Sequence, residues 1–282
     1  MVTSDYERQD GNEELWYQVF AKGHPLLAGK QRRFSLLPGN PRCKLCMAPL
    51  GGMGGWLMRL RHISRSERNP TYCNTCDGFL EAFPGGAEVP ISMMMIDIRD
   101  SVGLSARNSP REFARLVGGM REDVMEILRK TDGFVLEFQG DSVFAVWPPG
   151  FVGETHASKA VTAAEEAVQR FARLNSDASN ADASKVAVGM GVHTGQVFVG
   201  TVCAAAGRLN GISAFGLDVN LVARLASAAS AGEALVTHST YSSAGRDASA
   251  SELRVLELKG IEGEVSAVVL GGGTAEATHQ SP

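Results

Sequence analysis

A chain of 282 residues with 44% apolar and 21% charged residues has the composition of a soluble globular protein, long enough for one large domain or two modest ones. The formal net charge of −4 hides an uneven distribution: residues 21–72 hold ten Lys and Arg against a single acid, Glu67, so the remainder is clearly acidic. No apolar run is long enough to span a bilayer, and the polar start MVTSDYERQD lacks the basic-then-apolar pattern of a signal peptide, so a cytoplasmic protein is expected.

Residues 1–20 are expected to form a short amphipathic helix with Leu15, Trp16, Val19 and Phe20 on one side, packed on its own domain or on a second subunit. The Gly and Pro spacing from Ala21 to Pro41 predicts irregular chain. Residues 21–86 read as a small basic module built on two C-x-x-C pairs, Cys43 with Cys46 and Cys73 with Cys76. In a cytosolic chain, paired thiols at this spacing point to metal rather than disulfides, and four thiolates complete a tetrahedral structural zinc site. The gap between the pairs exceeds the commonest ribbon spacing, and an iron–sulfur cluster or a dithiol redox pair are the alternatives. The GGMGGW run between the pairs reads as tight packing around the knuckle, since no Lys-Ser/Thr follows to make a phosphate loop. The positive charge fits a solvated face, a dock for the acidic remainder or a regulatory partner, or a surface for nucleic acid or anionic lipid. Charge complementarity with the rest of the chain favours docking. Pro84-Gly85-Gly86 reads as a hinge into a second domain over residues 87–271, and residues 272–282 as a disordered tail.

The stretch from Ile91 to Trp147 carries the chemistry. ISMMMID reads as a buried strand ending at Asp97, and GFVLEFQGDSVFAVW as two strands joined by a turn at Gln139-Gly140-Asp141. An acid at a strand end and an acid at a hairpin tip on one sheet make a carboxylate pair for Mg²⁺, a hard cation that takes oxygen ligands. Between them, Ser109-Pro110-Arg111-Glu112 predicts a capped helix start, followed by apolar residues at helical spacing from Phe113 to Leu128.

Farther on, an alanine-rich helix is expected from about Thr155 to Leu174, then two strands in KVAVGMGVHTGQVFVGTV with a turn at His193-Thr194-Gly195. Cys203 reads as a small buried apolar group, and residues 204–212 as a flexible loop. A helix from Gly216 to about Ala229 and strands in EALVT, RVLELKG and VSAVVLG complete an α/β alternation.

In order, IDIRDS, EFQGDSV, VGMGVHTG, FGLDVNLVARL and LELKGI resemble the signature segments of the class III nucleotide cyclases, over roughly residues 90–270. The resemblance implies an α/β fold: the ferredoxin-like cyclase catalytic domain, here preceded by the small four-cysteine zinc-binding module. It also implies cyclisation of a nucleoside triphosphate to a 3′,5′-cyclic nucleotide and pyrophosphate. Two Mg²⁺ or Mn²⁺ ions per site are assigned to Asp97, Asp141 and the Ile98 carbonyl, and triphosphate contacts to Lys259, Arg99 and Ser101. Asn220 orients the ribose and Arg224 stabilises charge on the α-phosphate. Asp97 and Asp141 act with Glu137, Ser213, Asn220, Arg224 and Lys259 of the other subunit, so a head-to-tail homodimer is implied. His193 belongs to a structural turn in the family, not to catalysis.

Base choice falls to Glu137 and Ser213, where adenylate cyclases commonly place lysine and aspartate. A carboxylate accepts from guanine N1–H and its amino group, and a hydroxyl donates to O6, so GTP is favoured; adenine N1 is only an acceptor. Pyrimidines also present donors and stay open as substrates. Two residues depart from the pattern: Asp100 replaces a turn glycine and adds negative charge beside the triphosphate, and Gly189 stands where many animal enzymes carry a phosphate-binding arginine. These two changes keep a catalytically inactive nucleotide sensor in play.

Overall fold

The computed structural model describes residues 12–176, 186–204, 209–249 and 251–272. The expected tail, from residue 273 on, and residues 1–11 of the expected N-terminal helix lie outside the described residues. In chain order come α1 (Glu13–Tyr17), continued by a π-helical turn over Gln18–Lys22, then α2 (Pro25–Ser35), α3 (Gly52–Arg59) and α4 (Asn74–Ala82). The next elements are β1 (Gly86–Ile98), α5 (Ser101–Arg107), α6 (Pro110–Lys130), β2 (Phe134–Gln139), β3 (Ser142–Trp147), α7 (Pro149–Val152) and α8 (His156–Ser176). Last come β4 (Val188–Ala204), β5 (Leu209–Phe215), α9 (Leu217–Ala228), β6 (Glu233–Thr237), α10 (His238–Ser243), β7 (Leu253–Glu257) and β8 (Glu264–Gly271). Two compact units form, one of Met1–Ile91, Pro148–Glu154 and Gln196–Gly216, the other of Ser92–Trp147, Thr155–Gly195 and Leu217–Pro282.

In the first unit the N-terminal helix packs on its own chain. Trp16 stacks on Phe20 with ring centroids 5.6 Å apart, Phe20 meets Phe151 of α7, and the Trp16 indole N–H donates to the Phe83 carbonyl at 3.1 Å. The expected irregular chain from Ala21 to Pro41 instead contains α2. Pro25 opens that helix at its first turn, where a missing N–H costs nothing. Pro84-Gly85-Gly86 is not a loose link, because β1 starts at Gly86. A Cβ there would sit 2.7 Å from the Val199 carbonyl, and the Gly85 carbonyl accepts from the Thr201 N–H at 2.8 Å. The expected loop at 204–212 is largely strand: β5 pairs antiparallel with β4 from Leu209 to Phe215, and residues 205–208 lie outside the described residues. Cys203 falls within β4.

β1 and β4 each run through both units, and along the chain β1, α6, β2, β3, α8 and β4 follow one another as β-α-β-β-α-β, with α5 inserted after β1 and α7 before α8. The sheet runs β2-β3-β1-β4-β6-β8-β7. This is the ferredoxin-like arrangement, extended beyond β4. β1 is buried on both faces over most of its length, as its unbroken apolar run predicts. The Ser109–Glu112 capping box forms as expected, with each group bonding the other's backbone N–H; such a cap contributes about 1 kcal/mol.

In the second unit, too, an expectation fails. No turn occurs at His193-Thr194-Gly195, and β4 runs unbroken from Val188 to Ala204. The residues that mimic a turn serve packing. Gly189, Gly191, His193 and Gly195 alternate, so they share one strand face. A Cβ on Gly191 would lie 2.5 Å from the Ala226 N and 2.7 Å from the Leu225 Cβ, and one on Gly195 would meet the Asp218 carboxylate. The glycines let α9 lie flush on the strand. His193 pins it further, its Nε2 3.2 Å from Asp218 Oδ1 and its Nδ1 3.0 Å from Thr237 Oγ1.

Burial, only partly offset by Asp218, holds the His193 pKa below its usual value. The native state therefore takes up this proton only at lower pH than the unfolded chain. The stability of the neutral ring is complete above the unfolded value of about 6.5 and is lost as pH falls below it. Acidification from about pH 7 to about pH 5 should lower the melting temperature, and His193→Gln should flatten that dependence. Thermal unfolding of both proteins across this range checks it, and equal slopes would count against a buried neutral ring.

Candidate active site

Asp97 closes β1 with its Cα opposite Ser142 on β3, so Asp141, one residue earlier at the hairpin tip, is its neighbour. Gly140 adopts φ +56 in the turn, a conformation that costs glycine nothing. Arg121, from α6, holds this tip in place: its guanidinium lies 4.6 Å over the Phe138 ring and donates to the Gly140 carbonyl. Nothing in the local sequence around the hairpin signals this arginine, because it comes from 19 residues upstream.

The two acids sit in tension. Burial raises the Asp97 pKa, and the charge of Asp141 raises it further, while Arg99 opposes both. Asp141 Oδ2 is buried with no hydrogen-bond partner among the described residues. A buried, unpartnered carboxylate oxygen beside a second acid is the environment that a divalent cation resolves. The Asp97 and Asp141 carboxylates therefore fit a hard metal ion, and Ile98 lines the cavity beside Asp97.

Arg99 answers part of that demand in the structure. Its Nη2 lies 2.6 Å from Asp97 Oδ2, and its Nη1 donates to the Ser227 and Ala229 carbonyls at the C-terminal end of α9, at 3.0 and 3.3 Å. A Cβ on Gly189 would meet Arg99 Nε at 2.9 Å and Cζ at 3.0 Å. The guanidinium thus fills the space that a side chain at position 189 would need. Asp97, Ile98, Arg99, Asp100, Ser101, Val102 and Ser227 line a cavity of about 370 Å³.

Asp100 fits its position without the strain expected of a non-glycine. It takes the left-handed conformation, φ 52 and ψ 39, which costs most residues roughly 1–2 kcal/mol but which aspartate offsets by local hydrogen bonds. Its carboxylate caps α5 by accepting from Gly103 N–H at 3.2 Å and pairs with Arg107 at 2.9 Å, and that pairing lowers its pKa. The Gly103 amide, one of the N–H groups after Asp97 that the sequence offers to phosphate, already has an acceptor here.

Asp141 neighbours Asp97 across the β1–β3 pair but does not line this cavity, and neither do the remaining expected residues. Asn220 and Arg224 are exposed on α9, four residues apart, with no side-chain partner among the described residues. Lys259 is exposed in the turn after β7. Glu137 is half-buried on β2, beside a register shift, and accepts from Gln139 Nε2 at 2.6 Å. Ser213, in the first unit, is half-buried on β5 opposite Gly200.

The four cysteines form a separate centre within the first unit. Cys43, Cys46, Cys73 and Cys76 are all buried, with their sulfurs within 4.8 Å of one another, a cluster that suits a metal ion. Each pair sits beside a short bridge, Arg42 with Pro49 and Arg65 with Cys73, and the Cys76 N–H points at Cys73 Sγ at 3.4 Å. Hydrogen bonding among the thiols lowers Cys43 and Cys73 and raises Cys46 and Cys76. Four sulfurs this close cannot all ionise without a cation between them.

Residues 87–272 match the family described as adenylate and guanylate cyclase catalytic domain. Adenylate cyclase 1 of Rhizobium meliloti (strain 1021) is 31% identical over 135 residues, 48% of this chain, and the match spans about a fifth of that relative's own length (20%). Among solved structures, the guanylyl cyclase Cya2 superposes with a TM-score of 0.59 at 22% identity, over 67% of this chain and 95% of its own. The adenylyl cyclase CyaB from P. aeruginosa gives a TM-score of 0.57 at 24% identity, over 67% and 97%. With the family matched over residues 87–272, the ferredoxin-like sheet in place and the two acids side by side, this chain belongs to the adenylate and guanylate cyclase catalytic domain family and carries a nucleotide cyclase domain.

Proposed function

We propose that the protein converts a nucleoside triphosphate, GTP in preference to ATP, to the 3′,5′-cyclic nucleotide and pyrophosphate, at sites shared by two copies of the chain. The observation that carries this reading is the adjacent pair Asp97 and Asp141 with a buried, unpartnered Asp141 oxygen. These acids and the Ile98 carbonyl would hold two Mg²⁺ or Mn²⁺ ions, which when bound would lower the pKa of the ribose 3′-hydroxyl and screen the triphosphate. The 3′-oxygen attacks the α-phosphorus in line, and pyrophosphate leaves. Arg99 and Ser101, with Lys259 of a second copy, bind triphosphate oxygens. Asn220 and Arg224 of a second copy orient the ribose and offer a rigid fork of donors to the α-phosphate oxygens. Their exposure on α9 supports supply from a partner.

Glu137 and Ser213 select the base. The Gln139 contact steadies a half-buried carboxylate that accepts from guanine. The likeness to an adenylate cyclase favours ATP as the second reading. The unstrained Asp100 weakens the motive for an inactive nucleotide sensor. In the first unit the four thiolates hold structural zinc.

Incubating the purified protein with each of the four nucleoside triphosphates and Mg²⁺ or Mn²⁺, with mass detection, should give cyclic GMP fastest. Glu137→Lys with Ser213→Asp should shift the GTP-to-ATP ratio of kcat/KM toward ATP by on the order of a hundredfold. Asp141→Asn should abolish product. No cyclic nucleotide from any base, at concentrations that allow dimers, would sink the activity; an unmoved ratio would sink only the assignment of the base.

Two inactive variants test the shared site. Asp141→Asn and Arg224→Ala, mixed in equal amounts, leave one intact site in each mixed dimer, so activity should return to roughly a quarter of the wild-type level. If the mixture stays inactive while mixed dimers form, each copy builds its own site.

Elemental analysis should find stoichiometric zinc in the purified chain, and Cys46→Ser with Cys73→Ser should lose it together with a large fall in melting temperature. Iron with visible charge-transfer absorption would replace the zinc assignment.

A further inference from the structure

The helix α3 is turned inside out for a globular protein. Its buried face is Gly54, Gly55 and Met58, while Met53 (78% exposed), Trp56 (59%) and Leu60 (61%) project into solvent. These three are spaced i, i+3, i+7, so they form one stripe along the helix and its C-cap. The glycines explain how the stripe is presented. A Cβ on Gly55 would lie 2.8 Å from the Leu50 carbonyl carbon, and one on Gly54 would strike the Pro38 carbonyl. The backbone of α3 is thus drawn flush onto the first unit, and the large side chains face outward. Leu36 (82% exposed) lies two residues before Pro38, in the segment that runs against α3.

Around this stripe the charge is of one sign. Residues 21–72 hold ten Lys and Arg and one acid. Arg32, Arg33, Arg59, Arg61 and Arg65 are exposed and form no ion pair among the described residues. A protein–protein interface buries its apolar centre where charge is depleted. An indole and aliphatic side chains standing out of a helix, flanked by unpaired arginines, match the demands of a bilayer surface: apolar groups at the acyl boundary and cations among the headgroups.

We infer that the α3 face docks on an anionic lipid bilayer, with Met53, Trp56 and Leu60 inserted and Arg59 and Arg61 among the headgroups. This docking does not depend on which nucleotide the cyclase domain takes. No helix among the described residues is long and apolar enough to cross a membrane, and the docking inferred here uses the α3 face alone.

Trp56 reports on its own insertion, because Trp16 and Trp147 are 1% and 0% exposed. The metal-loaded full chain, mixed with vesicles of phosphatidylcholine containing phosphatidylserine, should co-sediment and show a blue shift of tryptophan emission. Phosphatidylcholine alone should give neither, and raising salt should weaken the binding. Trp56→Ser with Leu60→Ser, and separately Arg59→Glu with Arg61→Glu, should each lower vesicle affinity by on the order of tenfold or more, with unchanged cyclase turnover and circular dichroism. Three results would overturn the inference: no shift with anionic vesicles, equal binding to neutral ones, or a shift that nucleic acid causes and vesicles do not. A fourth is loss of the dimer in sedimentation of the Trp56→Ser, Leu60→Ser variant, which would give the face to a second copy of the chain.

Discussion

Two carboxylates held side by side and partly out of water repel each other, and much of the second unit is arranged to keep them there. Antiparallel pairing of β1 with β3 fixes the spacing of Asp97 and Asp141. Arg121, reaching from α6, stops the hairpin tip from relaxing away. Arg99 supplies a resident positive charge on one side of the pair, yet Asp141 keeps an oxygen without a partner. A fold that tolerates such a group is storing a demand for cations, which the metal proposed for this site would meet.

The same economy of space governs the helix that carries the residues proposed to act from a second copy. Asn220 and Arg224 stand on α9, and α9 is set on β4 by a face of glycines and one buried histidine. Because a Cβ at Gly191 or Gly195 would collide with α9 or its first turn, the helix has little freedom to slide. The exposed amide and guanidinium are therefore presented from a rigid support, which a contact made by a second copy requires.

Local chemistry was readable from residues alone where the cue and the structure share a few positions. The capping box at Ser109, the Gly140-Asp141 hairpin and the two C-x-x-C pairs all rest on short-range geometry, and each forms. The failures share a cause of the opposite kind. His193-Thr194-Gly195 resembles a turn because small residues permit turns, but here they make room for a helix more than 20 residues away. Pro84-Gly85-Gly86 resembles a hinge for the same reason and is instead held against β4. The composition between Ala21 and Pro41 hid α2, a helix with no buried residue and so no apolar stripe to reveal it. The outward stripe on α3 was equally hidden, since periodicity marks a face as apolar without saying whether anything covers it.

Arg99 and Gly189 also bear on how the volume beside Asp97 is filled. The guanidinium that enters from the end of β1 lies where a Cβ at 189 would come within 2.9 Å of its Nε, so bulk at 189 would oblige that flexible side chain to shift. The bare glycine therefore leaves no uncharged void: a cation delivered from two positions beyond Asp97 occupies the room it vacates.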